Sequence, residues 1–190
     1  MSGHNRWTQI KRKKERSDAT KGRVFSKYAK LITNEARAAK GNREAPALRA
    51  AIERARKENM PNDNIERAIK KATEKGAAME SAMYEAYGPG GIALIIDVLT
   101  DSKNRASQEI KAILARHGAS LASPGSALWA FTKTGHDTNM RMGTNDANGE
   151  RVWKPTTTIA LSDEDLAKLG KLVDELLEQE DVQEVVTNAE

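Results

Sequence analysis

The sequence predicts an α+β protein: a three-helix bundle with a basic tail, followed by a mixed domain whose helices pack on one face of a largely antiparallel sheet. Three observations predict it. Apolar residues recur at helical spacing three times before residue 77, with glycine and proline between the stripes. Beyond residue 77 the period shortens to apolar and β-branched runs bounded by turn formers, alternating with two further helical stripes. Charge is also segregated: residues 1–76 carry 21 basic and 9 acidic side chains, net +12, and residues 77–190 carry 10 and 18, net −8, within a chain of net +4.

Residues 1–17 are expected to be a flexible tail. The first thirty residues hold ten Lys or Arg against Glu15 and Asp18. Along the first half of this stretch no apolar residue recurs at helical or strand spacing, so no burial offsets the backbone entropy of ordering it. The helical domain is expected over 18–76. In its first helix, residues 18–39, Val24, Tyr28, Ile32 and Ala36 recur every four residues, Phe25 and Leu31 widen the stripe, and Gly41 is the stop signal. Pro46 suits the first turn of a second helix, whose Leu48, Ile52 and Ala55 line one face as far as Met60-Pro61. Asn62 then caps a third helix with the stripe Ile65, Ala68, Ile69 and Ala72, ending at Gly76.

The α+β domain is expected over 77–190. Residues 83–87 read as a strand, Gly88-Pro89-Gly90-Gly91 as a tight connection, and 92–99 as a buried strand completing a hairpin. Asn104 is the expected cap of a helix using Ile110, Ile113 and Leu114, with Gly118 as its left-handed terminator. Residues 127–131 read as a strand on which Trp129 and Phe131 share a face, buried beneath the helices. Residues 132–152 are polar and rich in turn formers, a loop longer than compact domains usually hold. A β-branched strand over 156–161 follows, then a helix opened by the capping box Ser162 and Asp165 and lined by Leu166, Leu169, Val173, Leu176 and Leu177, then a strand over 182–187. The order is ββαβ, loop, βαβ.

Composition narrows the function. No run of about 18 apolar residues could span a membrane, and the first residues lack the apolar stretch of a signal peptide. With zero cysteines, a cytoplasmic location is expected. His4, His117 and His136 have no metal-ligand spacing, so no metal site is expected. The chain has no nucleophile elbow, no cysteine nucleophile and no dinucleotide fingerprint, so no catalytic residue and no cofactor is assigned. A monomer is the expected state.

The basic half is what would meet polyphosphate. Lys11, Arg12, Lys13 and Lys14 are adjacent cations that repel one another unless phosphates intervene, and Arg16, Lys21, Arg23 and Lys27 continue the run. Trp7 has no core of its own to enter and is assigned to base stacking or a partner pocket, with His4, Asn5 and Arg6 beside it. Arg67, Lys70 and Lys71 are the assigned contacts on the third helix. Gly88, Pro89, Gly90 and Gly91 lack the Gly-Lys-Ser/Thr end of a phosphate loop and precede a strand, so they are read first as a shaped turn and second as a backbone contact for RNA or phosphate. The partner is nucleic acid, either DNA or ribosomal RNA. The alternative is a protein-interaction adaptor that uses the acidic α+β half.

Several strings carry a resemblance: Met1-Ser2-Gly3-His4-Asn5-Arg6-Trp7; the run 59–71, beginning Asn59-Met60-Pro61-Asn62-Asp63-Asn64; Tyr87-Gly88-Pro89-Gly90-Gly91; and Asp181-Val182-Gln183-Glu184-Val185. Through them the chain resembles the YebC/PmpR family, which includes the mitochondrial translational activator of cytochrome c oxidase subunit I, over residues 1–131 and 153–190. The resemblance implies a helical amino-terminal domain, ferredoxin-like α/β domains and a non-enzymatic role in gene expression, either as a DNA-binding transcriptional regulator or as a ribosome-associated translation factor. It also implies a departure: relatives carry a third, small α/β domain where this chain has only the polar loop 132–152.

Overall fold

The computed structural model describes residues 18–74, 79–134 and 152–190. Its first half is three helices, α1 (Asp18–Ala38), α2 (Pro46–Lys57) and α3 (Asn62–Lys71). Ile32 and Ala36 of α1, Leu48, Ala51 and Ala55 of α2, and Ile65 and Ala68 of α3 close around Met60 in one buried cluster. Helix separation follows the side chains at the contact, and the alanines on all three helices permit close approach. Gly41, at φ +79°, turns the chain after α1 in the left-handed region that glycine enters without strain. One expected cap in this half differs. Pro61, extended at φ −59° and ψ 142°, precedes α3, and its carbonyl accepts the amides of Asn64 (3.0 Å) and Ile65 (3.2 Å). The ring-fixed φ of proline sets the entry to the helix, so Asn62 is its first residue and not its cap.

The second half adds, in chain order, β1 (Glu80–Tyr87), β2 (Ala93–Thr100), α4 (Lys103–Arg116), β3 (Ser120–Leu121), β4 (Phe131–Thr134), β5 (Val152–Pro155), α5 (Asp163–Glu178) and β6 (Val182–Thr187). β1 and β2 form the expected hairpin, with Glu80 opposite Thr100 and Tyr87 opposite Ala93. The main sheet has the order β3-β1-β2-β6 and is antiparallel throughout. On one face, Leu94, Ile96 and Val98 of β2 pack with Ile110 and Leu114 of α4 and Leu169, Leu172 and Leu176 of α5. On the other, Ala93 and Ile95 pack with Ala127, Ala130 and Phe131, flanked by Tyr87 and Trp153. Burial on both faces is why β2 is a nearly continuous apolar run.

The segment expected as a strand over 127–131 is a 3-10 turn, Leu128–Ala130, that feeds β4. Its cause is Glu85, a buried carboxylate on β1 that accepts the amides of Gly125 (2.5 Å), Ala127 (2.7 Å) and Leu128 (3.1 Å). Charge-assisted bonds to three amides bend the chain where its composition alone suggests a strand. Trp129 and Phe131 therefore share no face: Phe131 is 7% exposed, whereas Trp129 is 59% exposed and donates its indole N–H to the Tyr87 hydroxyl at 3.3 Å.

The strand expected over 156–161 lies earlier, at β5, which begins at the last residue read as loop and ends just before the expected strand. β5 pairs with β4, Phe131 opposite Pro155 and Thr134 opposite Val152. Residues 156–161 form no strand: Ile159 makes a parallel bridge to Ala189, and Ile159 and Leu161 pack against the core. The available partner, more than the β-branched composition, located the strand. Ser102 rather than Asn104 caps α4, accepting the Arg105 amide at 3.4 Å, while its own amide is held by Thr100 Oγ1 at 3.0 Å. Gly118 ends that helix region at φ +68°, as expected. Ser162 caps α5 as expected, accepting the Asp165 amide at 3.1 Å and donating to its carboxylate at 2.9 Å.

Candidate nucleic-acid interface

The helical half carries two cationic surfaces of different character. The first is a groove of about 630 Å³ between the carboxyl end of α1 and α3. Arg37, Lys40, Arg43, Arg67 and Lys70 line it with a single carboxylate, Glu66, so its lining carries net +4. Ala36, Ile69 and Ala72 supply its apolar surface. Internal bonds preset three of the cations. Arg37 donates to the carbonyls of Ala72 (3.4 Å) and Glu74 (3.5 Å), a favourable place for a cation because helix carboxyl ends carry partial negative charge. Arg43 grips Glu66 through two parallel bonds of 2.9 and 2.5 Å. That hydrogen bonding holds the Glu66 carboxyl below its ordinary pKa and raises the Arg43 guanidinium. Arg67 bonds Asn64 Oδ1 and the Asp63 carbonyl. Among the described residues, Lys40 and Lys70 have no ion-pair partner, and both are exposed.

The second surface is the stripe Arg23, Lys27 and Lys30 along α1, one helical face by spacing. It is docked against the acidic half. Arg23 Nη1 lies 2.7 Å from Glu178 Oε1 at the end of α5, and Lys30 Nζ lies 2.5 Å from Asp181 Oδ1, just before β6. Asp181 is buried and also accepts Thr100 Oγ1 and Arg105 Nη2, both at 2.8 Å. Burial pushes this carboxyl up, but the hydrogen bonds from Lys30, Arg105 and Thr100 outweigh it and leave its pKa below the ordinary value. Lys27 lies between the two ion-paired residues, and burial, aided by the neighbouring Arg23 charge, lowers its pKa to about 8.

The sequence-assigned residues thus separate. Arg67 and Lys70 line the groove and Lys71 is exposed on the same helix. Lys21 is exposed near the start of α1, while Arg23 and Lys27 belong to the docked stripe. His4, Asn5, Arg6, Trp7, Lys11, Arg12, Lys13, Lys14 and Arg16 lie outside the described residues, as do Gly76 and His136. Gly88–Gly91 form a compact turn in which the Gly88 amide donates to the Ile92 carbonyl at 2.9 Å and the Gly91 amide to the Gly88 carbonyl at 3.1 Å. Gly90, at φ +68°, sits so close to Leu161 that an added Cβ would overlap Leu161 Cδ2. Sequence reasoning missed Arg37, Lys40 and Arg43. Their signal was present: all three flank Gly41, and a helix stop gathers cations on either side of it into one place.

A cationic helical bundle joined to an acidic, sheet-based half defines an α+β protein with strong charge polarity. Comparison with known proteins then fixes its relatives. The TACO1/YebC protein N-terminal domain matches residues 5–75, and the TACO1/YebC second and third domain matches residues 79–146 and 137–189. The chain belongs to the TACO1/YebC family. A probable transcriptional regulatory protein of Thermoanaerobacter pseudethanolicus is 38% identical over 239 aligned positions, covering 100% of this chain and 97% of the relative. One from Dictyoglomus turgidum is 48% identical over 138 positions, covering 71% of this chain and 55% of that protein. The crystal structure of a conserved hypothetical protein from Aquifex aeolicus superposes with a TM-score of 0.76 at 30% identity, covering 91% of each chain. The Thermoanaerobacter and Dictyoglomus relatives both carry the name probable transcriptional regulatory protein. No helix among the described residues is long and apolar enough to cross a membrane.

Proposed function

We propose that this protein is a non-catalytic, nucleic-acid-binding regulator of gene expression, acting in the cytoplasm through its basic amino-terminal segment and the cationic surface of the helical bundle. The observation that carries this reading is the groove: eleven lining residues concentrate a net charge of +4 on a face that the acidic half leaves open. Such a surface attracts polyphosphate by releasing counterions, which gives affinity without sequence information. The regulator label of the relatives agrees with it. DNA and ribosomal RNA are both polyanions of the required kind, and the amino-terminal cluster Lys11–Lys14 serves either target. The four residues adjoin Trp7 within one short segment, which suits contact with phosphates and an unstacked base together.

The test is cross-linking in cells with recovery and sequencing of both DNA and RNA, paired with binding isotherms of the full chain at several salt concentrations. Specific recovery of one nucleic acid is expected. Replacing Lys11, Arg12, Lys13 and Lys14 by Ala is expected to flatten the log-affinity against log-salt slope by up to about 3.6 on duplex DNA or about 2.8 on single strands. Absence of binding to either nucleic acid at low salt would overturn the reading.

A further inference from the structure

We propose that the groove between α1 and α3 seats a single-stranded stretch of nucleic acid, with phosphates on Lys40 and Lys70 and a base against Ile69 and Ala72. This rests on the nucleic-acid reading above and adds to it a place and a strandedness. Three observations lead there. The groove is a concavity of about 630 Å³, within the range of clefts that admit a small organic group such as a single base. Its surface is mixed: the half-buried Ile69 and Ala72 offer apolar contact that only an unstacked base can use, because a duplex keeps its base faces covered. Its cations are also unequal. Arg37, Arg43 and Arg67 are held by protein oxygens, so the site is preorganised around them, while Lys40 and Lys70 stand exposed on opposite walls, on the helix-end turn and on α3.

Charge complementarity selects the occupant. A phosphodiester chain brings one negative charge per residue together with a flat apolar face, which is the pairing the groove presents. An acidic peptide brings the charge but not the face. The Arg43–Glu66 pair at this site works against an anion: Glu66 is the one carboxylate in the lining, and neutralising it leaves Arg43 free to meet a phosphate.

The experiment uses the full chain and probes matched in formal charge: a single-stranded oligonucleotide in RNA and DNA forms, a duplex of half its length, and poly-glutamate of the same total charge. Lys40→Ala with Lys70→Ala is expected to weaken single-strand binding and lower its log-log salt slope by about 1.4, that is, about 0.7 for each lost contact. Duplex binding should change little. Glu66→Gln is expected to tighten single-strand binding several-fold, a gain that misfolding cannot imitate, and Ile69→Gln to weaken it several-fold with the slope unchanged. The RNA and DNA arms tell which sugar the strand carries. Equal losses on duplex and single strand, an unchanged slope in the double variant, or poly-glutamate competing as well as the oligonucleotide would each overturn the proposal. Wild-type protein that binds no nucleic acid at all would instead overturn the functional reading beneath it.

Discussion

Two sets of cations on the same three helices have opposite fates. Arg23 and Lys30 of α1 end on Glu178 and Asp181, with Lys27 packed between them, whereas Lys40 and Lys70 stand open beside a groove. In sequence the two sets look alike: Lys and Arg at helical spacing in a basic region. The difference lies in what each faces. The stripe meets the acidic half, where Glu178 and Asp181 take Arg23 and Lys30 as a polyanion would. The groove is lined by residues of the helical half alone, and its single carboxylate is already spent on Arg43. A cation is available to a partner only when the fold has not already supplied one.

The most disruptive way to break this comparison is Asp181→Ala. It leaves Lys30, Arg105 and Thr100 without their shared acceptor, and a loss of about 3 kcal/mol is expected, at the lower end for breaking a buried pair because Arg105 still reaches water. Urea denaturation measures it; a change within about 0.5 kcal/mol, the scatter of ordinary surface substitutions, would mean the stripe is not docked there. The same carboxylate makes an acid prediction. Its pKa is lowered in the fold, so its contribution is present above the ordinary carboxylate value of about 4 and is lost as the pH falls through the folded value.

Lys27 sharpens the comparison from the alkaline side. Its pKa falls from 10.5 to about 8 in the fold, so between those values the unfolded chain binds more protons, and stability rises with pH across that window. Lys27→Met should remove this part of the rise and raise stability at neutral pH, read from melts at pH 7 and pH 10. The smallest effect belongs to Arg23 and Glu178. Both are about half exposed, so Glu178→Gln should cost no more than about 1 kcal/mol and weaken further in salt. A larger loss would mean that this outer pair, and not Asp181, holds the two halves together.

Much of the fold was legible because it is local. The i, i+4 stripe over α1, the hairpin, the Ser162–Asp165 capping box and the left-handed Gly118 all depend on residues near one another in the chain. What escaped depends on distant partners. Glu85 curls residues 125–128 from forty positions away, so a strand became a turn and Trp129 faced outward. β5 formed where β4 offered an edge. The candidate site divides in the same way: Arg67 and Lys70 were legible as exposed cations on an amphipathic helix, while Arg37, Lys40 and Arg43 join them only once α1 and α3 are packed side by side. Of the residues assigned to nucleic acid in α1, Arg23 pairs with Glu178 of the acidic half and Lys27 is partly buried beside it, contacts that helical spacing alone does not reveal.

Lysine acylation footprinting of the full chain, read by mass spectrometry with and without a single-stranded oligonucleotide, tests the central claim most directly. Lys40 and Lys70 are expected to react freely in the unbound protein and to lose most of that reactivity when the strand is added. Lys30, held on Asp181, is expected to react slowly in both states. Protection of Lys30 by the strand, with Lys40 and Lys70 unchanged, would contradict the account and make the docked stripe, opened by its ligand, the true binding surface.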